Sequence, residues 1–163
     1  MFGFREINET DIRDEYLNTL NDKEYMKYSE QSQFEHTFIS QKNYLSSFNN
    51  STTSLIKGVQ KMPVVSLVGV VNATAIDREK SICNAGILIF QSFSSQRAGS
   101  IIWQRWIDFL HNQEGIQEVF AGTRLENFPM RRLCEKAQML EVKAFDTKLE
   151  SKHIFYVHRQ VCY

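Results

Sequence analysis

A chain of 163 residues with 42% hydrophobic and 23% charged residues has the composition of a soluble globular protein long enough to bury a core. Nineteen Lys and Arg balance nineteen Asp and Glu, so the formal net charge is zero and nothing in the bulk advertises a nucleic acid or an anionic membrane as partner. No run of about 18 apolar residues predicts a membrane span, the opening MFGFREINETDIRDEY lacks the apolar stretch of a secretory signal, and three cysteines without CxxC spacing argue against a disulfide framework or a structural zinc site. The expectation is one domain over residues 1–163, in a reducing cytoplasm, without a metal.

FGFREI (Phe2 to Ile7) predicts a short strand. Thr10 or Asp11 can cap a helix that turns Ile12, Tyr16 and Leu20 to one face. A polar connection, NDKEYMKYSEQ, leads to a second helix capped by Thr37, with Phe38, Leu45 and Phe48 inward. TSLIKGVQ, VVSLVGVVNATAI and SICNAGILIF are three strands whose short connections predict an antiparallel meander. Ala98, Ile101, Ile102, Trp106, Phe109 and Leu110 then recur at i, i+3, i+4 spacing, which predicts an amphipathic helix. QEVFAGT is a strand, and Met130, Leu133, Cys134 and Ala137 mark a helix whose first turn suits Pro129. EVKAFDT and KHIFYVHRQVCY close the chain as strands. The order β-α-α-β-β-β-α-β-α-β-β predicts an α/β domain with a mixed, mostly antiparallel twisted sheet of six to seven strands and about four flanking helices.

Three segments carry a resemblance. ILIFQSFSSQRAGSIIW places Ser94, Ser95, Gln96, Arg97, Ala98 and Gly99 at a strand-to-helix loop similar to Q/R-x-x-G-x-G/A. AGTRLENFPMRRLCEKAQM shares Asn127, Leu133 and Lys136 with an N-x-x-A-x-x-L-Y-x-K-x-G-F-like run. YLNTLNDKEYMKYSEQ is similar to an LND-x-E-v-x-x-Y segment. In this order they resemble the GNAT superfamily of acyl-CoA-dependent N-acetyltransferases, in its branch of ribosomal-protein N-terminal acetyltransferases (RimJ/RimL-like), over nearly the whole chain. The resemblance implies acetyl-CoA as cosubstrate and a small-molecule or peptide primary amine as acceptor, joined in a ternary complex, and a second copy of the chain as a candidate partner.

The loop has a physical logic of its own. N–H groups at a helix N-terminus are unpaired and partly positive, so a pyrophosphate can rest there. The resemblance assigns the cofactor to Gln96, Arg97, Ala98, Gly99 and Ser100, to the strand end Leu88, Ile89 and Phe90, and to Asn127. Asn127 equally suits a helix N-cap. Arg97 stands where the family carries glycine, Asn84 where it carries an acidic residue, and Cys134 where it carries the Tyr that protonates the leaving thiolate. Candidate bases are Glu30 and His36, in the segment expected to shape the acceptor pocket. The alternative for both is a loop role, with His36 helping to cap the second helix. Cys134 is a candidate acid or a buried residue of the helix stripe. The leading reading is an N-acetyltransferase. The alternative is a degenerate relative that serves as a binding or regulatory module.

Overall fold

The computed structural model describes residues 1–63, 66–94, 97–143 and 152–160. Seven strands form one sheet in the order β1-β2-β3-β4-β5-β7-β6, with β1 Phe2–Arg5, β2 Leu55–Lys61, β3 Leu67–Asp77, β4 Ile82–Ile89, β5 Glu118–Arg124, β6 Leu140–Val142 and β7 His153–Arg159. Every neighbouring pair is antiparallel except β4 with β5. That exception follows from the crossover through α3 Ala98–Glu114, which returns the chain in the same direction. The remaining helices are α1 Asp14–Asn21, α2 Phe38–Ser46 and α4 Phe128–Lys136. Thus the expected order and strand number hold. Residues 144–147 of the EVKAFDT expectation and 161–163 of the last strand lie outside the described residues.

Period-2 alternation splits the sheet into two faces. Val59, Val68, Val71 and Ala73 pack with Ile102, Trp103, Trp106, Ile107 and Leu110 of α3 and Cys134 of α4. Ile56, Val70 and Phe90 pack with Tyr16 and Leu20 of α1 and Leu45 of α2. So α3 and α4 cover one face, and α1 and α2 the other.

Several local expectations are corrected. The first capped element is a 3-10 turn at Glu9–Asp11 with Asn8 as N-cap, and α1 starts only at Asp14. Asp11 is drawn away from a capping role at α1 by a two-pronged ion pair with Arg5. Phe38 is exposed, because Thr37 caps α2 and leaves its first turn at the surface. On α3 Ile101 is exposed, whereas Trp103 and Ile107 are buried. The helix is wedged between the sheet and α4, so its buried arc is wider than one stripe and is rotated from the expected centre.

A histidine pair closes the far end of α3. His111 Nδ1 donates to Ile116 O at 2.6 Å, which leaves Nε2 to accept from His158 Nδ1 at 2.9 Å. Burial, and then the neighbouring His111, hold His158 below the ordinary histidine range, although Asp108 pulls the other way. A histidine depressed in the folded state binds its proton more readily when unfolded, so stability falls as pH drops through about 6.5. Thermal melts between pH 8 and 5 should show this acid-side loss, and His158→Gln should flatten it.

Candidate active site

Strands β4 and β5 pair only where Ile82, Cys83 and Asn84 meet Glu118, Val119 and Phe120, and then part. Among the described residues, one edge of β4 beyond Asn84 therefore has no strand partner on that side. Phe90 N–H donates to Val68 O of β3 at 2.8 Å. By alternation the main-chain groups of Leu88 also face β3, and those of Ile87 and Ile89 face the gap. Tyr25 Oη confirms the direction, because it reaches in and donates to Ile89 O at 2.8 Å.

A cleft of about 910 Å³ runs through this gap from one face of the sheet to the other. On the α3/α4 side it is lined by Ile87, Ile89, Gly99, Asn127, Met130 and Leu133. On the α1/α2 side it meets Tyr25, Tyr28, His36, Gln41, Tyr44 and Asn72. A V-shaped split between parallel strands, opening on both faces, can hold a long flexible ligand along the free edge of β4 and a second molecule opposite it.

The loop before α3 brings its own donors. Arg97 is the N-cap of α3 in the left-handed conformation, with φ 55° and no capping side-chain bond. The first N–H groups of α3, at Ala98, Gly99 and Ser100, have no intrahelical acceptor and carry the positive end of the helix dipole. Gly99 lies in the cleft wall, and a Cβ there would come within 3.4 Å of Leu133 Cδ2. Gln96 lies outside the described residues. Leu88 and Ile89 line the cleft. Phe90 does not supply a free donor: its N–H is bonded to Val68 and its ring is stacked on Tyr16 in the core.

Asn127 caps α4, accepting from Met130 N–H at 3.2 Å and donating to Thr123 Oγ1 at 2.8 Å, and it stands in the cleft wall as well. Cys134, by contrast, is fully buried on the inner side of α4 and does not line the cleft. Burial pushes its thiol up to about 12. A thiol with no access to the cleft has no path by which to hand a proton to a leaving group there, so the structure places Cys134 in the buried stripe of α4.

The two candidate bases separate. Glu30 is exposed on a 3-10 turn at Glu30–Gln33 and is not in the cleft lining. His36 is buried in the cleft wall, but both ring nitrogens are engaged. Nε2 donates to Gln31 O at 2.9 Å, and Nδ1 accepts from Gln41 Nε2 at 2.9 Å. The neutral ring in this pattern has no lone pair left for an amine. Its main chain is also clasped, since Asn21 both donates to His36 O and accepts from His36 N at 2.8 Å. The arrangement makes His36 a brace for the segment between α1 and α2. His36→Ala, which strips Gln31 and Gln41 of a buried partner, should lower stability by about 1–3 kcal/mol in denaturant melts.

The acceptor side owes its polarity to Tyr25, Tyr44, Asn72 and Asp22, none of which stood out as a candidate in the sequence. Asp22 accepts from Tyr25 N–H and from Gln91 Nε2, and these bonds, the first foremost, hold its carboxyl below the usual range. Asn72 carried a visible signal, as the polar residue inside VGVVNATAI. Tyr25 and Tyr44 carried none beyond their segment.

A family model described as an acetyltransferase (GNAT) domain matches residues 2–140. No curated protein sequence is similar enough to count as a match. Among solved structures, spermidine N-acetyltransferase from Vibrio cholerae in complex with CoA and spermine superposes with a TM-score of 0.83 at 15% identity, covering 98% of this chain and 95% of that one. An acetyltransferase of the GNAT family from Bacillus anthracis gives 0.80 at 16% identity, covering 97% and 94%. The ribosomal L7/L12 alpha-N-protein acetyltransferase in complex with coenzyme A gives 0.81 at 11% identity, covering 97% and 93%. At these identities the structures speak for the fold.

Proposed function

The chain belongs to the acetyltransferase (GNAT) domain family, and from that premise we propose that it transfers an acetyl group from acetyl-CoA directly to a primary amine inside a ternary complex. The observation that carries this reading is the free edge of β4 at Ile87 and Ile89, in a cleft that continues to the N-terminus of α3 on one face and to a polar pocket on the other. The outward main-chain groups of Ile87 and Ile89 would hold the cofactor's amide arm and thioester carbonyl. The N–H groups of Ala98, Gly99 and Ser100 would take the pyrophosphate. The amine nitrogen attacks the thioester carbon, the C–S bond breaks, the thiolate takes up a proton, and the attacking nitrogen gives one up. Alignment of the two reactants in the split supplies much of the rate, since holding reacting groups in register is worth roughly 7–11 kcal/mol. Asn84 therefore need not be replaced by another strand carboxylate for transfer to proceed.

The relatives support an amine acceptor: one is a spermidine N-acetyltransferase in complex with CoA and spermine, and another is an alpha-N-protein acetyltransferase. Among the described residues two carboxylates line the cleft: Asp22, which accepts from the neutral Tyr25 N–H and Gln91 Nε2 and so keeps its negative charge, and Glu24, ion-paired with Lys27 at the surface. The acceptor side thus offers tyrosines and amides together with the Asp22 carboxylate, a set that suits an amine or a peptide N-terminus. No described helix is long and apolar enough to cross a membrane, and the free thiols of Cys83 and Cys134 suit a reducing cytoplasm.

Release of free thiol from acetyl-CoA, followed with a panel of spermidine, an aminosugar nucleotide and short peptides with free N-termini, tests the reading. At least one amine should raise release above the amine-free rate. No acceleration by any amine at millimolar concentration would favour the alternative of a binding module. Arg97→Gly should not lower the melting temperature, because the left-handed φ suits glycine. It should weaken acetyl-CoA binding several-fold by removing a cation beside the phosphates, and calorimetric titration checks that.

A further inference from the structure

Asn72 is the polar residue in the apolar run of β3, and its position is fixed on three sides. Its carbonyl accepts from the indole N–H of Trp106 at 3.1 Å. Its Nδ2 donates to Tyr44 Oη at 3.2 Å. Its Oδ1 lies over Gly86, its register partner on β4, so closely that a Cβ there would sit 2.4 Å away. All three residues, Asn72, Tyr44 and Gly86, line the cleft. Gly86 immediately precedes Ile87, the first residue whose main chain faces the gap wholly beyond the paired part of β4 and β5. Among the described residues no donor reaches Asn72 Oδ1.

An unfilled amide oxygen, held rigidly beside the strand edge where the thioester carbonyl would lie, is placed to receive an N–H. We propose that Asn72 Oδ1 binds the N–H of the acceptor nitrogen, and that Tyr44 is a positioning residue that keeps this oxygen turned to the cleft. The inference rests on the acetyl-transfer reading. A primary amine that has attacked and lost one proton still carries one N–H, so Asn72 can follow it from approach to amide product. A secondary amine ends with none, so the seat selects primary amines. A neutral oxygen also holds the nitrogen without pairing with the ammonium, which would tie up the charged form.

The test uses two stable ligands that join both substrates: CoA bearing an S-carboxymethyl group amidated with n-butylamine, and the corresponding n-butyl ester, which lacks the N–H. Calorimetric titration of the wild type should give about tenfold tighter binding of the amide, the scale of one hydrogen bond. Asn72→Ala should abolish that preference with its affinity for CoA unchanged, which also reports that the variant is folded. Asn72→Asp, which keeps an oxygen in place, should retain the preference, and Tyr44→Phe should reduce it. Equal binding of amide and ester by the wild type, or a tenfold preference that survives Asn72→Ala, would overturn the proposal. Failure of the wild type to bind CoA itself would instead strike the acetyl-CoA reading on which it rests.

Discussion

Replacing Trp106 with alanine should be among the most destabilising single changes in the chain, at about 4 kcal/mol or more. The indole is fully buried on α3, stacks on Phe109 with ring centroids 5.2 Å apart, and takes Phe4 edge-on at 5.2 Å. It thereby ties β1, β3 and α3 into one core. Truncating a buried Trp costs about 3–5 kcal/mol in lost transfer energy and cavity. The lost N–H also removes a second donor from Asn72 O, which keeps its ladder partner Gly86 across β3 and β4, so this part of the loss is small, about 0.5–1.5 kcal/mol. Trp106→Phe should recover most of the packing and leave the hydrogen-bond part of the loss. Denaturant melts of the two variants separate the contributions. A loss under about 1 kcal/mol for the alanine variant would mean that α3 is not packed against β3 as described.

Gly69→Ala should strike the cofactor side through the sheet. Gly69 pairs with Ile89 across β3 and β4, and a Cβ at this position would lie 2.3 Å from Leu88 O and 3.0 Å from Ile89 Cα. Both are main-chain atoms, so no side chain can swing aside. The end of β4 must move, and it is the end whose free edge is meant to hold the cofactor. We expect a loss of about 2 kcal/mol or more, within the range for strain forced on a packed interior, together with at least tenfold weaker acetyl-CoA binding. Gly99→Ala is the control. Its Cβ would touch only the flexible tip of Leu133 at 3.4 Å, and stability should change little. Unchanged acetyl-CoA affinity in folded Gly69→Ala would remove the end of β4 from the site.

The element order was legible because each element announces itself by period. The strands alternate, and α3 repeats its apolar residues at helical spacing over several turns. The face of α3 was less legible. A helix squeezed between a sheet and another helix buries Trp103 and Ile107 as well as the expected stripe, and sequence spacing does not say how many neighbours a helix has. Pairing partners decided the site residues in the same way. His36 has the right chemistry for a base, and only the structure shows Gln31 and Gln41 holding both its nitrogens. Cys134 stands at a family position for an acid, yet its helix turns it inward. Phe90 belongs to the right strand with the wrong parity, which the bond to Val68 reveals. Conversely, Asn72 and Gly86 lie 14 residues apart in the chain and matter only because the β3–β4 register places them opposite each other.

The most direct measurement is calorimetric titration of the purified protein with acetyl-CoA and, separately, with CoA. The cleft as described should bind both with micromolar affinity, roughly −8 kcal/mol, and Gly69→Ala should weaken both. No heat of binding at millimolar ligand would contradict the account, because the free edge of β4 and the open N-terminus of α3 would then hold no cofactor.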